Sequence, residues 1–428
     1  RLADYDGAKL GEGWGRLPGM RQLRSSCWLV LSVTVACVSC NGSDAEVVGK
    51  PEQDAGFDAQ VPFDAASDGA ALDAGADAPM DAATDAPIAA VRIGVEPEPR
   101  ESDEEPDTAL QIAQLESFSA GSRAVSVDVR WDELVNDQLE LRADRLAALA
   151  TRIQVVRNAG AKLSLCLALV ERAVDARPAN GLAWNASSMQ SAARRVVDAV
   201  LELTGDELSF FSLGLESDRY FRALPQFLRG SFVDAMQGVL EYARAHPALP
   251  PMAKVGVGVT ADGWSGASSS FASWIQNSDA LIVSYIPLDE NLMAEPPSVV
   301  VADLDAMYDN LVEIRGGAPI VPIVIHRVGY PSTADVSASE EQQRTFYSAL
   351  FQALQGRRGR FPFVGVYGLN DPDPQRCVDF RLTLGGDALS HPERAEAAYC
   401  SLGLHSRRGV AKPAWREVLA GMATFASP

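Results

Sequence analysis

The chain has 428 residues and an apolar fraction of 47%, enough for a sizeable core in one large domain or two to three average ones. Its formal net charge is −20, and residues 41–90 carry eleven acidic side chains against one lysine, so half of the excess sits in that short piece. No lysine-arginine cluster is dense enough to neutralise a phosphate backbone, which argues against nucleic-acid binding. Four histidines are scattered without ligand spacing and no glycine-rich nucleotide loop is present, so neither a metal nor a cofactor is expected.

Residues 1–19 show no periodic pattern. From Met20 the chain reads "MRQLRSSCWLVLSVTVACVSC" over residues 20–40: two arginines, an apolar run of signal-peptide length, then small residues and cysteine. The run is short for a permanent membrane helix. "VTVAC" resembles a bacterial lipobox, which implies acylation at Cys37 and a protein anchored to a bacterial membrane without spanning it. A plain secretory signal, or an artefact of the coding start, is the alternative. Residues 41–90 follow with irregular Asp-Ala repeats and almost no large apolar side chains. Their like charges repel, so the segment is expected to be a disordered, solvated tether. If the chain is exported, Cys377 and Cys400 could pair in an oxidising compartment, while Cys166 sits in an apolar run as an inert core residue.

From residue 91 to 428 the character changes. Short apolar runs recur in order: "VRIGVEP", "AVSVDVRW", "AKLSLCLALV", "LSFFSLGLE", "AKVGVGVTADGW", "DALIVSYIPLD", "APIVPIVIH" and "FPFVGVYGLND". Segments with helical spacing separate them. In "LELRADRLAALATRIQVVRNAG", Leu146, Leu149, Ile153 and Val156 fall on one stripe before an Asn-Ala-Gly stop. Continuous apolar strands alternating with helices indicate a parallel sheet covered on its outside. Eight such units predict an α/β fold, a (β/α)8 TIM barrel. A doubly wound open sheet competes, but no phosphate loop follows the first strand.

In a barrel the site lies at the carboxyl ends of the strands. Those ends give Glu96, Asp128, Trp131, Glu171, Glu216, Asp218, Asp262, Trp264, Tyr285, Asp289, His326, Arg327, Tyr367 and Asp371. Acids and aromatics on one rim suit a sugar, whose apolar faces stack on rings and whose hydroxyls donate to carboxylates. Strand ends in any barrel are also polar because they meet water.

"FFSLGLESDRYF" at the fourth strand and "VIHRVGYPS" at the seventh carry a resemblance, supported by "TADGW", "VSYIPLD" and "SLGLHSRRGVAKPAW". Together they look like clan A glycoside hydrolases, the (β/α)8 retaining glycosidases. The resemblance implies Glu216 as acid/base, with Leu215 where the clan has asparagine. It implies Arg327 at the nucleophile position, directly before Val-Gly-Tyr-Pro-Ser. Asp128, Trp131, Asp218, Asp262, Trp264, Tyr285, Arg327 and Tyr367 are the expected substrate contacts. A guanidinium is cationic and has no acceptor lone pair, so it cannot attack an anomeric carbon. Strand alternation would send His326 to the opposite side from Arg327, into the barrel–helix layer. Glu216 could instead pair with Arg327 and close the rim.

The expected function is an envelope-anchored barrel that binds a glycan or acts as a scaffold without hydrolysing it. Its partner would be a carbohydrate, including an acidic polysaccharide gripped by Arg327, together with a membrane through the lipid anchor. The alternatives are an active hydrolase using Glu216 with a relocated carboxylate, and a protein-interaction module of the envelope.

Overall fold

The computed structural model describes residues 91–178, 182–264 and 269–426. The expected signal segment, the acidic tether and Cys37 lie outside the described residues. Eight strands alternate with helices: β1 Arg92–Val95, β2 Ala124–Arg130, β3 Lys162–Glu171, β4 Leu208–Leu215, β5 Lys254–Thr260, β6 Ala280–Tyr285, β7 Ile323–Val328 and β8 Phe363–Val366. Neighbours run parallel in the order β1-β8-β7-β6-β5-β4-β3-β2. The two ends of that order meet. The Arg123 N–H donates to the Ile93 carbonyl at 3.3 Å, and a Cβ on Gly94 would lie 2.1 Å from the Ala124 carbonyl oxygen. The sheet thus curls into a barrel, as the eight apolar runs predict, and the open doubly wound sheet is excluded. A two-residue strand, Val174–Asp175, pairs antiparallel with the end of β3 and extends it at the mouth.

Helices cover the barrel by burying one stripe each. Ala143–Asn158 buries Leu149, Ile153 and Val156, three of the four expected stripe residues, and stops before Gly160 at φ +64°. Ser187–Leu203 buries Met189, Val196, Val197, Val200 and Leu201 among others. Each such aliphatic side chain contributes about 1.5–3 kcal/mol of burial free energy. Glu340–Gln355 starts at Ser339, whose hydroxyl accepts from the Gln342 N–H at 3.2 Å.

The segment after β8 departs from a simple crossover by carrying two additional helices, Pro374–Leu384 and Pro392–Cys400. Asp373 caps the first, accepting from the Gln375 N–H at 2.8 Å, with Pro374 at the first helical position. A disulfide between Cys377 and Cys400, with Cα atoms 5.6 Å apart, ties the two helices together. Cys166 is a free, buried thiol, and burial pushes its pKa up.

Candidate functional site at the barrel mouth

The end of β7 is where local geometry departs from the sequence pattern. Ile325 pairs with Val283 of β6, and the next β6 residue, Ser284, pairs with Arg327, so His326 is one residue too many. On the other side Ile325 pairs with Val364 and Val328 with Val366, which again leaves one residue over. This is a β-bulge, and a bulge resets side-chain alternation. His326 therefore does not enter the barrel–helix layer, as strict alternation predicts. Both it and Arg327 reach groups on the barrel's inner side. The bulge is held by a hydrogen bond from the Ser126 hydroxyl to the His326 carbonyl, 2.5 Å. It needs glycine opposite, since a Cβ on Gly365 would lie 2.3 Å from that carbonyl oxygen.

Arg327 donates twice to Glu96 at the end of β1, Nε to Oε2 at 3.0 Å and Nη2 to Oε1 at 2.9 Å, and Nη2 also donates to Asp128. Its guanidinium lies over the Tyr367 ring, 4.7 Å from the centroid. Both partners of the Arg327–Glu96 pair are about nine-tenths buried. Burial opposes the charge on Arg327, but Asp128 and Glu96 more than offset it and hold its proton firmly. Burial likewise opposes the charge on Asp128, yet Arg327 and His326 outweigh it and hold that carboxyl well below the usual range. His326 Nε2 is 2.7 Å from Asp128 Oδ1, and Nδ1 is 2.8 Å from the Ser164 hydroxyl. The result is a continuous chain, Glu96–Arg327–Asp128–His326–Ser164, in which both carboxylates are already paired.

Glu216 stands apart from it. It adopts a left-handed conformation (φ 52°, ψ 46°) where β4 turns into the short helix Ser217–Ala223. One oxygen is 3.3 Å from Arg172 Nε and the other accepts from Arg219 Nε at 3.0 Å. The alternative of a Glu216–Arg327 pair is thus overturned, because each has different partners. Glu171, at the end of β3, is taken up by Arg130 and Arg172.

Two cavities open at this end of the barrel. The larger, about 680 Å³, is lined by Glu216, Asp262, Tyr285, Asp289, Glu295 and Asp303 among others. The smaller, about 520 Å³, is lined by Asp128, Arg130, Arg172, Arg327 and Tyr399 among others. In the larger one, burial pushes the Glu295 carboxyl up, and Asp303, Asp289 and Asp262 push the same way. Asp303 is also raised by burial, although it accepts a 2.5 Å hydrogen bond from the Tyr285 hydroxyl.

The remaining expected contacts divide. Tyr285 and Asp262 face the larger cavity. Asp218 is 1% exposed and accepts from the Thr260 N–H and hydroxyl, both at 2.8 Å, so it braces β5 and offers nothing to a ligand. Asp371 is held by Lys412 at 2.6 Å. Trp131 and Trp264, expected as stacking surfaces, are fully buried in the apolar core, where an indole stabilises most by being surrounded. Tyr367 lies under Arg327 with its hydroxyl bonded to that of Tyr399. Among the groups of the mouth that the sequence does not single out are Arg172, Glu98, Glu295, Asp303, Phe380 and Tyr399. Arg172 and Glu98 sit within two residues of noticed strand ends, whereas Phe380 and Tyr399 lie on the two extra helices, whose spacing carries no site signal.

No protein-family model matches the chain, and no curated protein matches it in sequence. Solved structures do match its fold. A Glu-to-Ala variant of GH5_18 from Bifidobacterium longum subsp. longum, in complex with Manβ1-4GlcNAc, aligns with TM-score 0.60 and 14% identity over 79% of each chain. A Glu-to-Ala variant of GH5_18 from Streptomyces cattleya, with the same disaccharide, gives 0.59 and 15% over 79% of this chain and 81% of that one. The exo-β-1,4-mannosidase Op5Man5 from Opitutaceae bacterium strain TAV5 gives 0.55 and 14% over 78% of this chain and 59% of that one. The chain therefore shares the fold of these glycoside hydrolases, a (β/α)8 barrel.

Proposed function

We propose that this barrel binds a glycan at its mouth without hydrolysing it, and that it does so at a bacterial cell envelope. The setting of Arg327 carries the first half. A retaining glycosidase brings two carboxyl groups to about 5–5.5 Å, one of them attacking the anomeric carbon. Here the strand-seven position that corresponds to the nucleophile holds a guanidinium, bound by Glu96 and Asp128. It has no lone pair to attack with, and its charge opposes an oxocarbenium-like transition state. Both Glu216 oxygens are engaged by arginines, so neither is free to reach a glycosidic oxygen.

The larger cavity supports binding. Its volume of about 680 Å³ lies within the usual range for small-molecule sites, and several carboxylates line it, the exposed Asp262 among them. Fold neighbours were solved with Manβ1-4GlcNAc and with GlcNAc, which makes a β-mannosyl or N-acetylglucosaminyl glycan the first ligand to try. An acidic polysaccharide loses its motive, because Arg327 already holds two carboxylates of its own chain. For the envelope, the lipobox-like "VTVAC" and the acidic tether supply the argument, and lipid labelling lost on Cys37→Ser tests it.

The decisive experiment is calorimetric titration with Manβ1-4GlcNAc and a broad glycan array, beside a hydrolysis panel. Binding weakened by Asp262→Ala, with no turnover, is the expected result. No ligand anywhere on the array sinks the binding half. One observation favours an active enzyme instead: Glu216 shares its cavity with Asp303 and Glu295, whose pKa values are raised as a general acid requires. Turnover abolished by Glu216→Gln would establish that reading.

A further inference from the structure

The two cavities share one wall residue, Phe380, on the extra helix Pro374–Leu384. Its ring stacks on Tyr399 with centroids 3.9 Å apart and planes within 10°. The Arg172 guanidinium lies over the same ring at 4.4 Å from the centroid. One face of a ring cannot hold both at those distances, so Phe380 is sandwiched between a tyrosine face and a planar cation. A flat apolar ring between an aromatic surface and an arginine is also how a protein seats the face of a sugar.

The geometry points to the helix Pro374–Leu384 as an autoinhibitory plug: Phe380 occupies the place where a sugar ring would stack on Tyr399 of the neighbouring helix, and its withdrawal joins the two cavities into one cleft. This rests on the glycan-binding reading and adds to it a second subsite, made by Tyr399 and Arg172. Three further contacts hold the plug in place. The Cys377–Cys400 disulfide ties the helix carrying Phe380 to the one carrying Tyr399. Arg172 Nη1 donates to the Thr383 hydroxyl at 3.1 Å, and the Ala173 N–H donates to the Thr383 carbonyl at 2.9 Å. These contacts fasten the plug helix to the end of β3, beside Glu216. Separately, the cavities suit a sugar or two each; joined, they suit an oligosaccharide.

The test uses the full chain, wild type beside Phe380→Ala and Cys400→Ser, in two measurements. Hydrogen exchange of residues 374–384 reports the plug without any ligand. Calorimetry with β-1,4-mannotetraose and with Manβ1-4GlcNAc reports the subsite. Faster exchange in Cys400→Ser, and at least about tenfold tighter tetraose binding in Phe380→Ala than in wild type, with a smaller gain for the disaccharide, is the expected result. Wild-type binding that is unchanged or weaker in Phe380→Ala overturns the plug while leaving the glycan-binding reading intact. No binding by any of the three proteins, with faster exchange in Cys400→Ser, overturns both. Loss of the tetraose gain in Phe380→Ala/Tyr399→Ala identifies Tyr399 as the platform, and its persistence there overturns that assignment.

Discussion

Arg327 on β7 and Glu96 at the end of β1 are joined by two parallel hydrogen bonds, 3.0 and 2.9 Å, across the barrel mouth. A fork-to-fork pair of this kind fixes orientation as well as charge. Removing one partner leaves the other buried and uncompensated, which is far more costly than the pair is stabilising. Glu96→Ala is therefore expected to destabilise the barrel by about 3 kcal/mol, and Glu96→Met/Arg327→Met to recover most of that loss. Urea denaturation of the three proteins measures it. A single-variant loss under about 1 kcal/mol would show that Asp128 alone suffices for Arg327.

Acid should unlock the same network from the Asp128 side. Its carboxyl is held below the ordinary value of 3.8 by Arg327 and His326, against burial. A depressed carboxyl contributes stability that is present above its unfolded pKa and lost as pH falls through the folded one. Wild type should thus lose stability below about pH 4 more steeply than Asp128→Asn. Melting temperatures of both between pH 2 and 7 decide it: parallel curves refute the linkage.

Glu98 carries the opposite sign. Burial, opposed by Arg376, raises its pKa from 4.5 to about 7. Between those values the folded chain retains a proton that the unfolded chain gives up, so stability falls as pH rises through the window. The loss at pH 8 is on the order of 2–3 kcal/mol relative to pH 4. Glu98→Gln should flatten that slope and be more stable than wild type above pH 7. Equal slopes from pH 4 to 8 would remove Glu98 as the cause.

The barrel was legible because apolar runs such as "SLCLALV" and "ALIVSY" are too short for a buried helix, and segments of helical spacing separate them, the pattern of strands buried on both faces. Glu216 and Arg327 were legible as strand-end groups for the same reason. The direction of His326 was not, because a bulge depends on the partner strands' register and on a glycine opposite, 39 residues away in sequence at Gly365. Trp131 and Trp264 misled for a related reason. An aromatic at a strand end is equally consistent with a platform and with a plug for the barrel's end, and only packing decides.

That packing makes its own prediction. Trp131→Ala and Trp264→Ala should each cost about 3–5 kcal/mol, the range for removing a buried large aromatic. Any loss of glycan binding should then track loss of folded protein. Calorimetry at a temperature where circular dichroism shows the variants folded separates the two. Native stability with abolished binding would return the indoles to the site.

Restoring a carboxylate at the seventh strand should not restore hydrolysis. Arg327→Glu places a third carboxylate against Glu96 and Asp128, which now lack their shared guanidinium. Like charges at that distance cannot all ionise, so one is driven to its protonated form and the nucleophile is weakened as it is created. Glu216, meanwhile, remains tied to Arg172 and Arg219, and Leu215 still supplies no amide toward a sugar. Wild type and Arg327→Glu are both expected to show no turnover on a panel of aryl β-mannosides and β-glucosides. Relieving the crowding with Glu96→Gln/Arg327→Glu, and freeing Glu216 with Arg219→Ala as well, is the combination with the best prospect of measurable hydrolysis. Turnover in Arg327→Glu alone would mean that the catalytic machinery is otherwise intact, and that a single substitution separates this barrel from an active glycosidase.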